Sequence, residues 1–194
     1  MIAIIDYKMG NLRSVENALR RLGAEFVVTA DAGQIRKADK VLLPGVGNAA
    51  EAMENLRVAG LVDVIRSLRR PVLGICVGMQ VMCRHSEEGN VDCLGIFDAR
   101  VKRFVPSAEE KVPHMGWNSI GNLETKLFKD IKGGEMVYFV HSYYPELCPD
   151  TIATTRHGVM FSAALKYENF YGTQFHPEKS GDVGERIIAN FLKL

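Results

Sequence analysis

The sequence predicts an α/β protein: a three-layer α/β/α sandwich with a mostly parallel central sheet and an antiparallel-rich C-terminal half. Two observations carry this. In the first half, short, nearly continuous apolar runs alternate with stretches of helical periodicity, as in a parallel sheet covered on both faces. From about Val91 to Tyr171 the strand signals crowd together around turn pairs at Gly121-Asn122, Gly133-Gly134 and His157-Gly158, the pattern of antiparallel pairing.

Met1 to Asp6 reads as a buried first strand. Asn11 is placed to cap a helix carrying Leu12, Val15, Leu19 and Leu22, which Gly23 ends. Phe26 to Thr29 is a second strand. Val41-Leu42-Leu43 is a third, stopped by Pro44-Gly45. A helical stretch from Ala49 to Arg70 breaks near Gly60. Pro71 to Ile75 is a fourth strand, with a helix expected just after Cys76. The closing helix, about Val183 to Leu192, buries Ile187, Ile188, Phe191 and Leu192. No repeat or flexible linker interrupts the 194 residues, so one domain over 1–194 is expected.

Composition excludes several classes of function. Apolar residues make up 47% and charged residues 24%, as in globular proteins. The 24 basic and 23 acidic residues leave a net charge of +1, which supplies no field for nucleic acid or an anionic membrane. No apolar run approaches the ~20 residues of a membrane span. The opening segment lacks a basic head and a cleavage site, so no signal peptide is expected. Cys76, Cys83, Cys93 and Cys148 fit neither a disulfide framework nor a zinc site, which predicts reduced thiols in a cytoplasm. A metal site from Cys83, His85 and Cys93 is rejected on spacing. No phosphate-binding glycine loop is present, and no metal or cofactor is expected.

Gly74-Ile75-Cys76-Val77-Gly78 follows a strand and precedes a helical pattern, with the spacing of a nucleophile elbow. Glycines two before and two after remove side chains that would collide in so sharp a turn. A sulfur at a helix N-terminus is favoured as thiolate. Taken alone, a free cysteine is more often a small buried hydrophobe; the strand and the flanking glycines favour the nucleophile. Further along stands His176-Pro177-Glu178. With Pro177 holding the tripeptide extended, Glu178 can reach one imidazole nitrogen while the other faces Cys76. His85, His114, His141 and His157 compete, but none has a carboxylate two residues away across a proline.

Gly74 to Gln80 together with Phe175 to Glu178 resemble the class I glutamine amidotransferases. Asp6 to Asn11, Leu43 to Gly47, Pro113 to Asn118, Val137 to Tyr143 and Gln174 to Ser180 resemble, more narrowly, the glutaminase subunits of imidazole glycerol phosphate synthases, along the whole chain. The resemblance implies a glutaminase with Cys76 as nucleophile, His176 as acid and base, and Glu178 as its orienter. It places oxyanion donors at Val77 and, on a strand free to rotate a peptide, Val46. It implies glutamine contacts from Gly47, Gln80, Ser142 and Tyr143. The implied partner is the cyclase subunit, of (β/α)8-barrel fold. In a heterodimer with it, ammonia would be passed on to make imidazole glycerol phosphate and AICAR in histidine biosynthesis. Asn11, Met115, Trp117 and Asn118 would face this partner, although Trp117 could equally be a core residue.

Val81-Met82-Cys83-Arg84-His85 departs from the family pattern and leaves the outer face of its helix unassigned. Other readings stay open: a different amidotransferase, against which Pro44 to Gly47 argues; another cysteine hydrolase on a similar sheet; and a flavodoxin-like binding module.

Overall fold

A computed structural model describes residues 1–108 and 110–194. The strands are β1 (Ile2–Ile5), β2 (Phe26–Thr29), β3 (Lys40–Gly45), β4 (Val72–Cys76), β5 (His85–Ser86), β6 (Val91–Asp92), β7 (Arg100–Arg103), β8 (His114–Ser119), β9 (Met136–His141), β10 (Tyr143–Pro145), β11 (Thr151–His157), β12 (Val159–Tyr167) and β13 (Phe170–Thr173). The helices are α1 (Leu12–Arg21), α2 (Ala32–Lys37), α3 (Ala49–Val58), α4 (Val62–Arg66), α5 (Val77–Gln80) and α6 (Gly181–Leu192).

Seven strands form the central sheet in the order β11-β12-β13-β4-β3-β1-β2. The five from β2 to β13 run parallel. The β12 strand turns antiparallel against β13 and pairs with β11 in the same sense. The expected mixed sheet is therefore found. The crowded strands of the second half do not all extend it, however. A four-stranded sheet β10-β7-β5-β6 and a two-stranded ribbon β8-β9 stand apart. Among the described residues no helix is long and apolar enough to cross a membrane.

Helix ends follow local chemistry. Asn48 caps α3 by accepting the Glu51 N–H at 2.8 Å. Gly60, with φ +67°, makes the expected break before α4, which stops at Arg66 rather than Arg70. Asn11 precedes α1, but its side chain makes no capping bond. Asp31 caps the unexpected α2 by accepting from Gln34 N–H at 2.7 Å. The pattern Asp31-x-x-Gln34 was its readable start signal.

Two expectations near the sheet's carboxyl edge are corrected. The β3 strand does not stop at Pro44 but runs to Gly45, with Pro44 opposite Ile75 and Gly45 opposite Cys76. Its pairing with β1 ends at Leu42. Beyond that point the ladder is one-sided, which is where a strand tolerates a residue without an N–H. The helix after Cys76 is a single turn, and Val81, Met82 and Cys83 beyond it are fully buried. The first three residues of the segment that departs from the family pattern are therefore core, and only Arg84 is exposed, paired with Asp98 at 2.8 Å.

The elbow is held by contact. A Cβ on Gly78 would lie 1.8 Å from the Leu43 carbonyl oxygen, and one on Gly45 would lie 2.5 Å from Gly78 N. Backbone of β3 thus packs directly on backbone of α5. Gly78→Ala should cost about 1–3 kcal/mol or more, read as a lowered urea midpoint. Gly133→Ala, in open space, should leave it nearly unchanged; equal midpoints for the two variants would refute the β3–α5 contact.

Candidate active site

Three parallel strands end at one place. Gly45 closes β3, Cys76 closes β4, and the chain leaving β13 at Thr173 reaches His176 three residues later. This is the carboxyl edge of the sheet, where open α/β folds bind ligands. Cys76 has φ +54° and ψ −113°, a strained conformation for a residue with a side chain. Gly74 permits it, because a Cβ there would come within 2.8 Å of the Gly78 backbone. As first residue of α5, Val77 has an N–H with no partner within the helix. The macrodipole expected behind Cys76 is small, since α5 has four residues.

His176 Nδ1 lies 2.7 Å from Glu178 Oε1, with both side chains almost fully buried. Proline does not hold the tripeptide extended, as expected from sequence. His176 is extended, but Pro177 opens a 3-10 turn over Pro177–Lys179, at the first helical position, where its missing N–H costs nothing. The carboxylate reaches the ring from that turn. Burial works to lower the His176 pKa. Hydrogen bonding and charge from Cys76 and Glu178 outweigh it and raise the value to about 10. The resting ring is therefore an imidazolium in the same cavity as the Cys76 sulfur.

The His176 backbone is clamped as well. Its N–H donates to Tyr138 O at 2.9 Å. Ser180 Oγ donates to His176 O at 2.6 Å and accepts the Tyr138 N–H at 2.9 Å. Nothing in the sequence singled out Ser180 for this.

The other histidines are disqualified by their surroundings. His141 reaches Tyr143 O with Nδ1 at 2.7 Å and His114 Nδ1 with Nε2 at 2.9 Å, so both nitrogens are occupied. Burial pushes its pKa down to about 3, and that of His114 to about 4. His85 and His157 do have carboxylates beside them, Asp92 and Glu110 at 2.9 Å each. A nearby carboxylate therefore does not by itself distinguish His176; sharing a cavity with Cys76 and pairing with Glu178 does.

That cavity, of ≈ 190 Å³, is lined by Val46, Gly47, Cys76, Val77, Gln80, Glu88, Ser142, Tyr143, His176 and Lys179, among others. It falls below the roughly 300–1,000 Å³ of drug-sized sites and suits a molecule the size of an amino acid. Every residue expected on the nucleophile, oxyanion or glutamine side is brought together there except Glu178, which stands behind His176. Glu88 was missed. Burial raises the pKa of its carboxyl, which also accepts the Ala49 N–H at 2.9 Å. No sequence motif marks it; the turn after β5 carries it to the cavity.

Of the residues expected to face a partner, Met115 and Trp117 are 63% and 54% exposed, so Trp117 is not a core residue. Its ring meets Tyr138 edge-on at 6.1 Å between centroids. Asn11 is exposed. Asn118 falls on the alternate face of β8, where its amide donates to Arg156 O at 2.9 Å and lies 3.2 Å from His114 Nε2.

A buried cysteine on a strained elbow, sharing a cavity with an imidazolium, defines by class a candidate site for acyl transfer through a thioester. The family model for class-I glutamine amidotransferases matches residues 3–194. Over all 194 residues the chain is 58% identical to the imidazole glycerol phosphate synthase subunit HisH of Bacteroides thetaiotaomicron, covering 99% of that protein. It is 60% identical to the same subunit of Bacteroides fragilis, with the same coverage. The crystal structure of a putative GMP synthase component from Thermoplasma acidophilum shares the fold, with TM-score 0.76 at 22% identity over 99% of this chain and 92% of that one. The chain belongs to the class-I glutamine amidotransferases and, within them, to the family of HisH subunits.

Removing the charge of Glu178 isolates its effect. In Glu178→Gln the His176 titration, followed by ring NMR, should fall below about 10. A folded pKa raised above the ordinary 6.5 adds stability that is full below pH 6.5 and lost as pH rises through about 10. The stability advantage of wild type over the variant should therefore shrink across that window. A constant difference would contradict the His176–Glu178 pairing.

Proposed function

We propose that this chain is the glutaminase subunit of an imidazole glycerol phosphate synthase. It hydrolyses glutamine to glutamate and ammonia and hands the ammonia to a cyclase subunit of (β/α)8-barrel fold in a heterodimer. The cyclase then forms imidazole glycerol phosphate and AICAR in histidine biosynthesis. The observation that carries this reading is Cys76 sharing one cavity with a Glu178-paired His176, in a chain of the HisH family.

The chemistry follows from the groups present. Cys76 attacks the side-chain amide carbon of glutamine, and the oxyanion meets the Val77 N–H and a peptide N–H at Val46. His176 gives its proton to the departing ammonia, leaving a glutamyl thioester. Water then attacks, its proton goes to His176, the C–S bond breaks and glutamate leaves. Glu178 keeps the imidazolium oriented throughout. Gly47, Gln80, Ser142 and Tyr143 contact the substrate from the cavity wall. The Val46 peptide, between two glycines, rotates to complete the oxyanion hole when the partner is engaged. Loss of one such donor slows catalysis by about 100- to 1,000-fold, so the rotation acts as a switch. An identical Val46 peptide in complexes with and without the cyclase's ligand would rule it out.

Met1 to Leu194 forms a single amidotransferase domain, a reading supported by one buried hydrophobic cluster that runs from Ile2 to Phe191. Four free cysteines support residence in a reducing cytoplasm. Exposed Met115 and Trp117, both residue types common in interfaces, support β8 as the partner-facing strand, with Asn11 and Asn118 nearer its margin.

A coupled assay tests the reaction. Glutamine turnover should rise when the cyclase and its ribonucleotide are added, and a glutamine-analogue chloroketone should label Cys76. Flat turnover under every addition, with Cys76 unlabelled, would refute the proposal. Trp117→Ala should weaken cyclase binding by about 2 kcal/mol or more, as interface anchors do. An unchanged affinity by calorimetry would remove Trp117 from the interface.

A further inference from the structure

Two buried carboxamides run from the cavity wall to the nucleophile. Gln80 Nε2 lies 3.0 Å from the Tyr143 carbonyl oxygen and 2.8 Å from Gln174 Oε1, and Gln174 Nε2 lies 3.7 Å from Cys76 Sγ. Gln80 is 2% exposed and Gln174 is 0% exposed. A side-chain amide has two ends that differ as donor and acceptor, so its orientation is decided by its neighbours. Here one neighbour settles both. A backbone carbonyl can only accept, so the end of Gln80 facing Tyr143 O must be NH₂. That NH₂ also faces Gln174, so the facing end of Gln174 must be oxygen. The other end of Gln174, aimed at the sulfur, is therefore NH₂.

We propose that Gln174 is a catalytic group of this site, a fixed N–H donor that holds Cys76 as thiolate. This rests on Cys76 being the nucleophile of the glutaminase reading. His176 changes protonation during the cycle, surrendering its proton to the departing ammonia and regaining one from the attacking water, so its charge beside the sulfur depends on the timing of proton transfer. When the thioester C–S bond breaks, the electron pair returns to Sγ while the proton of the attacking water goes to His176. Gln174 is uncharged, keeps its protons at every stage and meets that returning charge. In the sequence Gln174 stands at the head of the segment Gln174 to Ser180 that carries the resemblance, but no role is assigned to it there.

The other groups around the sulfur are accounted for. His176, with Glu178 behind it, supplies positive charge. The Tyr7 hydroxyl donates to Pro44 O at 2.8 Å, and burial together with Cys76 raises its pKa, so it stays protonated. Glu88 and Lys179 line the same cavity with opposite charges. The Val140 carbonyl, 4.0 Å from Sγ, can only accept, and so favours the thiol. Of the buried neutral groups bonded to the sulfur, Gln174 is the one that favours the thiolate.

The test is the pH dependence of iodoacetamide alkylation at Cys76, followed by mass spectrometry of its peptide in the full chain. Peptide mapping separates it from Cys83, Cys93 and Cys148, whose thiols burial makes harder to ionise. Gln174→Met keeps the length and removes the donor. Its thiolate midpoint should rise by about one pH unit, a tenfold loss of thiolate at fixed pH below the midpoint. A purely packing role would lower stability without moving that midpoint. Gln80→Met keeps Gln174 but frees its amide to turn, and should shift the midpoint in the same direction by less. A wild-type midpoint in folded Gln174→Met overturns the proposal. Should that variant not fold, a wild-type midpoint in Gln80→Met overturns it. Wild-type glutamine turnover, measured alongside with the cyclase, separates this outcome from failure of the glutaminase reading.

Discussion

The site depends on one close approach: the backbone of β3 lying against the first turn of α5. Hydrogen at Gly78 is what lets the Leu43 carbonyl come so near. Through that contact the nucleophile strand and the strand bearing Val46 form one rigid corner. The corner requires small residues from both sides, Gly45 on β3 and Gly74 and Gly78 around Cys76. A further one stands across the sheet, where a Cβ on Gly172 of β13 would lie 2.3 Å from Met79 Cγ. Cys76 keeps its strained dihedrals because every neighbour is already in place, and strain of this kind persists only where the surroundings over-determine it.

Electrostatics divides the buried histidines into two kinds. His114 and His141 lie among Phe104, Phe139 and Phe161, and among the described residues no carboxylate is hydrogen-bonded to either ring. Burial prevails and they stay neutral, each nitrogen committed to a structural bond. His176 is also buried, yet Glu178 and Cys76 outweigh desolvation and it is charged. The same residue type thus serves as packing material or as acid according to whether a charge partner is buried with it.

Much of this was legible in the sequence, for physical reasons. The elbow could be read because its need for glycine at fixed offsets leaves a mark along the chain. The His176–Glu178 pair could be read because the partners are two residues apart. The parallel strands could be read because burial on both faces demands unbroken apolar runs. What was not legible depends on distant segments meeting. Nothing local tells that β5, β6, β7 and β10 leave the central sheet, or that β8 and β9 form a ribbon of their own. Pro44 looked like a strand terminator because its tolerance depends on β1 ending early. Pro177 looked like an extender because Glu178 can reach the ring from either backbone. Glu88 and Gln174 act through space, 12 residues after and 98 residues after Cys76.

The two halves of the catalytic pair therefore stand on different supports. Cys76 belongs to the central sheet, fixed by β3, β4 and α5. His176 is bonded through its backbone to Tyr138 of the β8–β9 ribbon, with Ser180 closing the clamp. The ribbon is not part of the central sheet. It is tied to β11 by side-chain and bridging bonds, from Asn118 to Arg156 O and from Thr155 Oγ1 to Ser119 O. Trp117 stands exposed on this ribbon with its ring on Tyr138. Two contacts, Trp117 on Tyr138 and Tyr138 on the His176 backbone, thus separate the ribbon's exposed face from the base. Val140, on the same ribbon, also places its carbonyl 4.0 Å from Cys76 Sγ, so the ribbon meets both members of the pair, the base through its backbone and the nucleophile at its sulfur.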